Sequence, residues 1–174
     1  MSRLRVASFA PREPARARLL ILGSMPGIAS LRANQYYGHP HNRFWPFMEA
    51  LFGVPRDHPY EARVQALLDR GIALWDVLAH CERPGSLDAS IVRGSEQPND
   101  FASFLARQPD LQAIALNGSA AAALFRKKVV PVLGPRLDGI TLHALPSTSP
   151  ANASLRNETK LAQWLALREH VPRP

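Results

Sequence analysis

Short continuous apolar runs alternate along the chain with longer stretches whose apolar residues recur at helical spacing. Leu19, Leu20, Ile21 and Leu22 form one such run, ended by Gly23. That is the pattern of a strand buried on both faces of a parallel sheet. Phe44, Phe47, Met48 and Leu51 fall on one helical face and predict a helix over about 42–52, with Gly53 as its left-handed cap. A second helix is expected over about 60–70 and a strand over 72–77. A helix near 100–107 leads to a third buried strand over 111–116. Asn117, Gly118 and Ser119 then open an Ala-rich helix to about 127. A fourth strand covers 140–145, and Ser154 is placed to cap a last helix running to about 169.

Strands alternating with helices predict an α/β fold with a central, mainly parallel sheet of about four strands, covered on both faces. Ligands in such folds bind at the carboxyl ends of the strands. That rule selects four loops, over 23–42, 76–84, 117–119 and 146–152. No internal repeat or low-complexity tract is present, and 174 residues suit one domain over 1–174.

Composition narrows the function. The lone Cys81 excludes an internal disulfide and an iron–sulfur cluster, and no run of 18 apolar residues exists to span a membrane. A soluble protein of a reducing, cytoplasmic compartment is expected. The net charge is +7, and only Lys127, Lys128 and Lys160 are lysines, so 18 of the 21 basic residues are Arg. Planar guanidinium groups favour phosphate-bearing partners, although a GC-rich genome enriches Arg as well. Arg3, Arg5, Arg12, Arg16 and Arg18 face only Glu13 near the start, which reads as a basic N-terminal arm over 1–17.

The first strand-end loop carries Gly23-Ser24-Met25-Pro26-Gly27, then Tyr37-Gly38-His39-Pro40-His41-Asn42-Arg43-Phe44-Trp45. Pro26 and the glycine spacing exclude a dinucleotide fingerprint, and no Gly-Lys-Ser/Thr follows to make a P-loop. A Gly-x-Ser-x-Gly nucleophile elbow is also missing. What remains is a loop able to stack a flat ring and hydrogen-bond its edge. Together with Asn117-Gly118 and the segment Leu145-Pro146-Ser147-Thr148-Ser149-Pro150-Ala151-Asn152, it resembles the uracil-DNA glycosylase superfamily. The pattern is most similar to the hypoxanthine-DNA (deoxyinosine) glycosylases.

The resemblance implies a three-layer αβα sandwich that flips a damaged base from DNA and cuts its N-glycosidic bond. A base inside a duplex is out of reach, so it must be extruded, stacked and read at its edge. By the same resemblance Asn42 is the catalytic residue, holding the attacking water or bonding the leaving base. Asn before Arg43-Phe44-Trp45 is equally a helix cap, and one side chain can do both. Tyr37 is the stacking platform, a contact worth roughly 1–3 kcal/mol per base. Gly23, Ser24, Met25 and His39 line the base site, and Asn117 reads the base edge with an amide that both donates and accepts. Pro146, Ser147, Thr148, Ser149 and Asn152 form the loop that enters DNA. Met25 stands where mismatch-specific uracil glycosylases carry Asn, which moves the chemistry to Asn42. Leu145 precedes Pro146 where the superfamily usually has His, and His143 lies two residues earlier.

None of the three lysines falls in a motif, which argues against Schiff-base strand cleavage. His39 and His41 have no acidic ligand nearby in sequence, so neither a metal nor a cofactor is expected. The expected protein is a monomeric, monofunctional DNA glycosylase acting on DNA containing deaminated bases, hypoxanthine favoured, with no membrane partner. Two alternatives remain: a uracil or G/U mismatch-specific glycosylase, and a non-catalytic nucleic-acid-binding module of the same fold.

Overall fold

The structure, a computed structural model, describes residues 4–172. The apolar runs become the parallel sheet: β2 (Leu19–Gly23), β3 (Ile72–Asp76), β6 (Ala113–Asn117) and β7 (Thr141–Leu145), in the order β3-β2-β6-β7. Three of these strands are buried along their whole length, whereas the edge strand β7 is largely exposed. Helices cover both faces, as the pattern predicted. Leu19, Ile21, Ile72 and Leu74 pack one way, against α2 (Phe44–Phe52), α3 (Tyr60–Asp69) and α7 (Asn157–Trp164). Leu20, Leu22, Ala73 and Trp75 pack the other way, against α4 (Phe101–Arg107) and α5 (Ser119–Leu124). The alternation of core sides along each strand is the period-two geometry of a pleated sheet.

Five features differ from the sequence expectation. Residues 76–84 are not only loop: β4 (Leu78–Glu82) pairs antiparallel with β1 (Arg5–Ala7) and β5 (Gln97–Pro98) in a second small sheet. The N-terminal segment is accordingly not a free arm. β1 sits on β4, Arg12 exchanges backbone hydrogen bonds with Leu74, and Gln108 bonds Ala17 N–H and the Pro14 carbonyl. Its cations are partly spent as well, Arg12 on Glu61 and Arg16 on Asp110. Arg3 lies outside the described residues.

The Ala-rich helix runs past residue 127. A wide turn over Phe125–Val129 leads into α6 (Val130–Leu133), because Pro131 has no N–H to continue the α ladder. The last helix begins at Asn157 and tightens into a 3-10 turn over Leu165–His170. Ser154 does not cap it, since its hydroxyl donates to Asn152 Oδ1 instead.

Short α1 (Ile28–Ala33) lies inside the first long loop. It holds that loop folded, because Ser30 Oγ accepts from Gly38 N–H at 3.0 Å.

Candidate active site

Strand register decides which residues meet. Gly23 pairs with Asp76 across β2–β3, and Asn117 pairs with Leu145 across β6–β7. All four are the last residues of their strands, so the following loops leave from one edge. The loops enclose a cleft of about 320 Å³, within the range of small-molecule sites. Each of the four loops selected from the sequence contributes to it: Gly23 through Ser30, then Tyr37, His39 and Asn42 from the first, Asp76 from the second, Asn117 from the third and Ser147 through Ala151 from the fourth.

The first loop is held by residues beyond β4. Ser24 Oγ donates to Asp88 Oδ1 at 2.6 Å, and Ile28 N–H donates to Ser86 Oγ at 2.9 Å. Arg83, only 1% exposed, donates to the Pro26 carbonyl at 2.6 Å and to Gly85 at 2.9 Å. Sequence reasoning missed Ser86 and Asp88 because its second loop ended at 84, and nothing in the sequence marks Arg83, inside that loop, as buried. The clue available was the polar run Arg83 to Asp88 directly after a strand-end segment.

Asn42 lies at the mouth of the cleft, partly exposed, just before α2. Its Oδ1 accepts from Phe44 N–H at 2.9 Å, a local bond at the entrance to α2, although the N-cap position itself is Arg43 and not Asn42 as expected. The bond leaves the Nδ2 donors for a ligand. Tyr37 adopts the left-handed conformation, with φ 56°. That is uncommon for a bulky residue and concentrates at functional positions. Its ring stacks on Phe44, centroids 3.8 Å apart at 18°, which leaves one face for a second flat ring. Its hydroxyl is buried without a hydrogen-bond partner. Burial and the charge of Asp76 raise the phenol, offset in part by the nearby Asn117 amide, so it stays protonated. His39 is exposed at the rim, where its Nδ1 accepts from His41 N–H. The Met25 side chain is part of the apolar core on the α4–α5 face.

Asn117 and Thr148 clamp each other. Asn117 Nδ2 donates to Thr148 Oγ1 at 2.9 Å, and Thr148 N–H donates to Asn117 Oδ1 at 3.0 Å. The Thr148 carbonyl accepts from Arg43 N–H at 2.9 Å, which ties the fourth loop to the first. Two expectations change here. Thr148 is 1% exposed and acts as an internal tie, not as a DNA-facing residue. Asn117 lines the cleft with one N–H still available, but both ends of its amide already hold Thr148.

Gly118 makes this junction possible. It has φ 98°, and a Cβ there would meet the Ser147 Cβ at 2.9 Å. The fourth loop is supported from below by α7. Trp164 Nε1 donates to the Pro146 carbonyl, and buried Lys160 donates to the carbonyls of Ser147 and Asn152. Lys160 therefore belongs to the site's scaffold, a role its place outside the motifs concealed. Pro150 and Ala151 are exposed at the tip, while Ser147, Ser149 and Asn152 are half-buried.

Asp76 is the group that sequence reasoning passed over. It is 4% exposed, lines the cleft, and has Oδ2 buried with no partner. Burial first, then the neighbouring Asp88, push its carboxyl up to about 7, while Arg83 pulls the other way.

Leu145 is packed in the core, and His143 does not fill the place of the missing strand-end His. Its Nε2 lies 2.8 Å from His170 Nε2, clipping the C-terminal turn to β7. Among the described residues, His143, Glu169 and His170 are the one group whose donor atoms could converge on a metal, all within 4.8 Å of one another. None of the three lines the cleft.

Residues 10–168 match the sequence profile of the Uracil DNA glycosylase superfamily. The chain belongs to that superfamily. Two hypoxanthine DNA glycosylases are similar over most of their length. The one from Methanosarcina acetivorans is 36% identical over 153 residues, 87% of this chain and 90% of the relative. The one from Methanosarcina barkeri is 34% identical over 145 residues, 83% and 86% of the two chains. The solution NMR structure of a candidate uracil DNA glycosylase from M. acetivorans superposes with a TM-score of 0.80 at 33% identity, covering 96% of this chain and 98% of that one. The superfamily thus accounts for the three-layer fold. Among the described residues no helix is long and apolar enough to cross a membrane.

Proposed function

We propose that this superfamily member is a monofunctional DNA glycosylase that hydrolyses the N-glycosidic bond of a deaminated base, hypoxanthine foremost, and leaves an abasic site. The observation that carries the reading is the convergence of Tyr37 and Asn42 on one cleft at the strand ends, in a chain related to two hypoxanthine DNA glycosylases. The flipped base stacks on the free face of Tyr37, with Phe44 backing the ring. Asn42 uses its Nδ2 donors on the attacking water or the departing base, while Phe44 N–H fixes its Oδ1. Water adds at C1′ as the bond to the base breaks through an oxocarbenium-like sugar. Fixed donors aimed at the base stabilise the charge that gathers there.

The 146–152 loop, braced by Lys160 and Trp164, fits the space a flipped base vacates. Arg43 and Arg156, both exposed, flank a groove beside that loop and suit flanking phosphates better than the paired arginines of the N-terminal segment. Phosphate contacts of this kind make affinity fall with salt. The enzyme works as a cytoplasmic monomer and needs no metal or cofactor.

The test is an incision assay on labelled duplexes carrying deoxyinosine, deoxyuridine or deoxyxanthosine, with alkali added after the protein. Deoxyinosine is expected to be cut, and Asn42→Ala should lower that rate by roughly 10²–10³. Cleavage confined to deoxyuridine would replace the substrate. Binding of these duplexes with no abasic product would replace the reaction with a binding function.

A further inference from the structure

The Asp76 carboxyl sits at the end of β3 against the backbone of Gly23, so close that a Cβ at 23 would lie 2.7 Å from Oδ1. Oδ2 is sealed in the protein without a donor. Oδ1 is therefore the oxygen left to the cleft that Asp76 lines. Every charged or titratable group facing it is otherwise occupied or neutral. Asp88 accepts from Ser24, the Arg83 guanidinium is spent on the carbonyls of Pro26 and Gly85, and Tyr36 donates its hydroxyl to Ala10. The Tyr37 phenol is protonated, lies beside the Asn117 amide and makes no hydrogen bond to the carboxyl. A carboxylate here has neither a cation nor a donor within hydrogen-bond reach, and burying such a charge is costly. The neutral acid meets far less resistance.

A neutral acid at this point has a preferred proton position. On Oδ2 the proton would be a buried donor with no acceptor, a loss comparable to a missing hydrogen bond. On Oδ1 it faces the cleft and can find an acceptor in a ligand. Deamination turns an exocyclic amino group, a donor, into a carbonyl, an acceptor. Resting on the glycosylase reading above, we propose that Asp76 is a specificity-determining residue that donates its Oδ1 proton in a hydrogen bond to the carbonyl created by deamination. An undamaged adenine presents N–H there, which meets another donor. The alternative placement of the proton on Oδ2 strands that donor, so the neutral acid disfavours the amino base in either placement. The same bond strengthens as negative charge gathers on the departing oxo base, and the carboxyl keeps its proton throughout.

The inference ties activity to one titration. With the carboxyl at about 7, the oxo base loses its donor as pH rises above neutrality. The experiment uses the full chain in single-turnover incision of deoxyinosine and deoxyadenosine duplexes from pH 5.5 to 9, wild type beside Asp76→Asn and Asp76→Ala. Wild type should show a plateau at low pH and a fall of about tenfold per pH unit above the titration. Asp76→Asn, isosteric and never charged, should be flat across that range. It should also discriminate inosine from adenosine about tenfold less well, since an amide can offer either its oxygen or its N–H. An alkaline fall that persists unchanged in Asp76→Asn, or discrimination untouched in both variants, overturns the proposal and leaves the glycosylase reading intact.

Wild-type protein inactive on every deaminated duplex would instead fail the glycosylase reading itself. A measurement without turnover stands beside the assay, the ¹³C titration of the Asp76 carboxyl with and without free hypoxanthine. A donor to the base must titrate higher when the base is bound. A carboxyl that does not move, or moves down, overturns the proposal whatever the activity shows.

Discussion

On the β6–β7 side of the cleft, Asn117 and Thr148 exchange two hydrogen bonds and Thr148 accepts a third from Arg43. On the β2–β3 side, the Tyr37 hydroxyl and Asp76 Oδ2 are equally buried and bond to nothing. Each side sets a strand-end residue, Asn117 or Asp76, beside a loop residue, Thr148 or Tyr37, yet the first has its polar atoms answered from within the protein and the second does not. Folded proteins rarely leave buried polar atoms unpaired, and each such atom forgoes about 1–3 kcal/mol of hydrogen bonding. The paired side is architecture, fixing the fourth loop on the third. The unpaired side is kept ready for something outside the chain, at a standing cost in stability.

The largest test of that contrast is the pH dependence of folding at Asp76. Its carboxyl titrates near 7 in the native protein against 3.8 as the ordinary value. Between those pH values the native state holds a proton that the unfolded chain has released. Stability therefore falls as pH rises from about 4 to about 7 and then levels off, a loss of about 4 kcal/mol if the whole difference is expressed. Asp76→Asn removes the titration. Urea unfolding should find the variant several kcal/mol more stable relative to wild type at pH 8 than at pH 4. An equal difference at the two pH values would mean that Asp76 ionises normally, and the contrast between the walls would lose its main support.

The paired side yields a smaller effect with the opposite sign. Thr148→Val keeps the volume and removes Oγ1, which strands Asn117 Nδ2 while the Thr148 N–H bond survives. The expected cost is about 1–3 kcal/mol in urea unfolding, with little change in slope across pH. Asn117→Ala should not add its full cost to that of Thr148→Val, because the two side chains share one interaction. Additive costs in the double variant would show that the pair is not a clamp.

These walls differ as much in how far the sequence exposed them. The three buried strands were legible because continuous apolar runs carry their own signal, and the largely exposed β7 followed as the next strand of the alternating pattern. From the strand ends the cleft and Asn42, Tyr37 and Asn117 could be placed. β4 was hidden because Leu78, Ala79, His80, Cys81 and Glu82 alternate weakly, and its partner β1 is three residues long. The two-residue β5 gives no pattern at all. Asp76 was read only as the end of a strand, since nothing in a run such as Leu74-Trp75-Asp76-Val77 says that its carboxyl lacks a partner. Thr148 was misjudged for the related reason that a polar residue in a loop looks exposed until its partners are known, and Lys160 because a lone cation on a helix looks the same. Partnership is a property of three-dimensional neighbours, and periodicity does not report it.

The smallest effect on stability is expected at Tyr37, and it bears most directly on what the unpaired wall is for. Tyr37→Phe keeps the ring on Phe44 and deletes a hydroxyl that bonds to nothing in the free protein. Removing an unsatisfied buried hydroxyl should leave stability unchanged or raise it by up to about 1 kcal/mol. If the hydroxyl finds its partner only when the cleft is occupied, the same variant should bind free hypoxanthine several-fold more weakly despite folding as well as wild type. Calorimetric binding and thermal melting on the same samples separate the two quantities. A variant that melts well below wild type would show that the hydroxyl is already satisfied by water in the free protein. The β2–β3 wall would then be built like its counterpart, and the reason for assigning it to ligand would be gone.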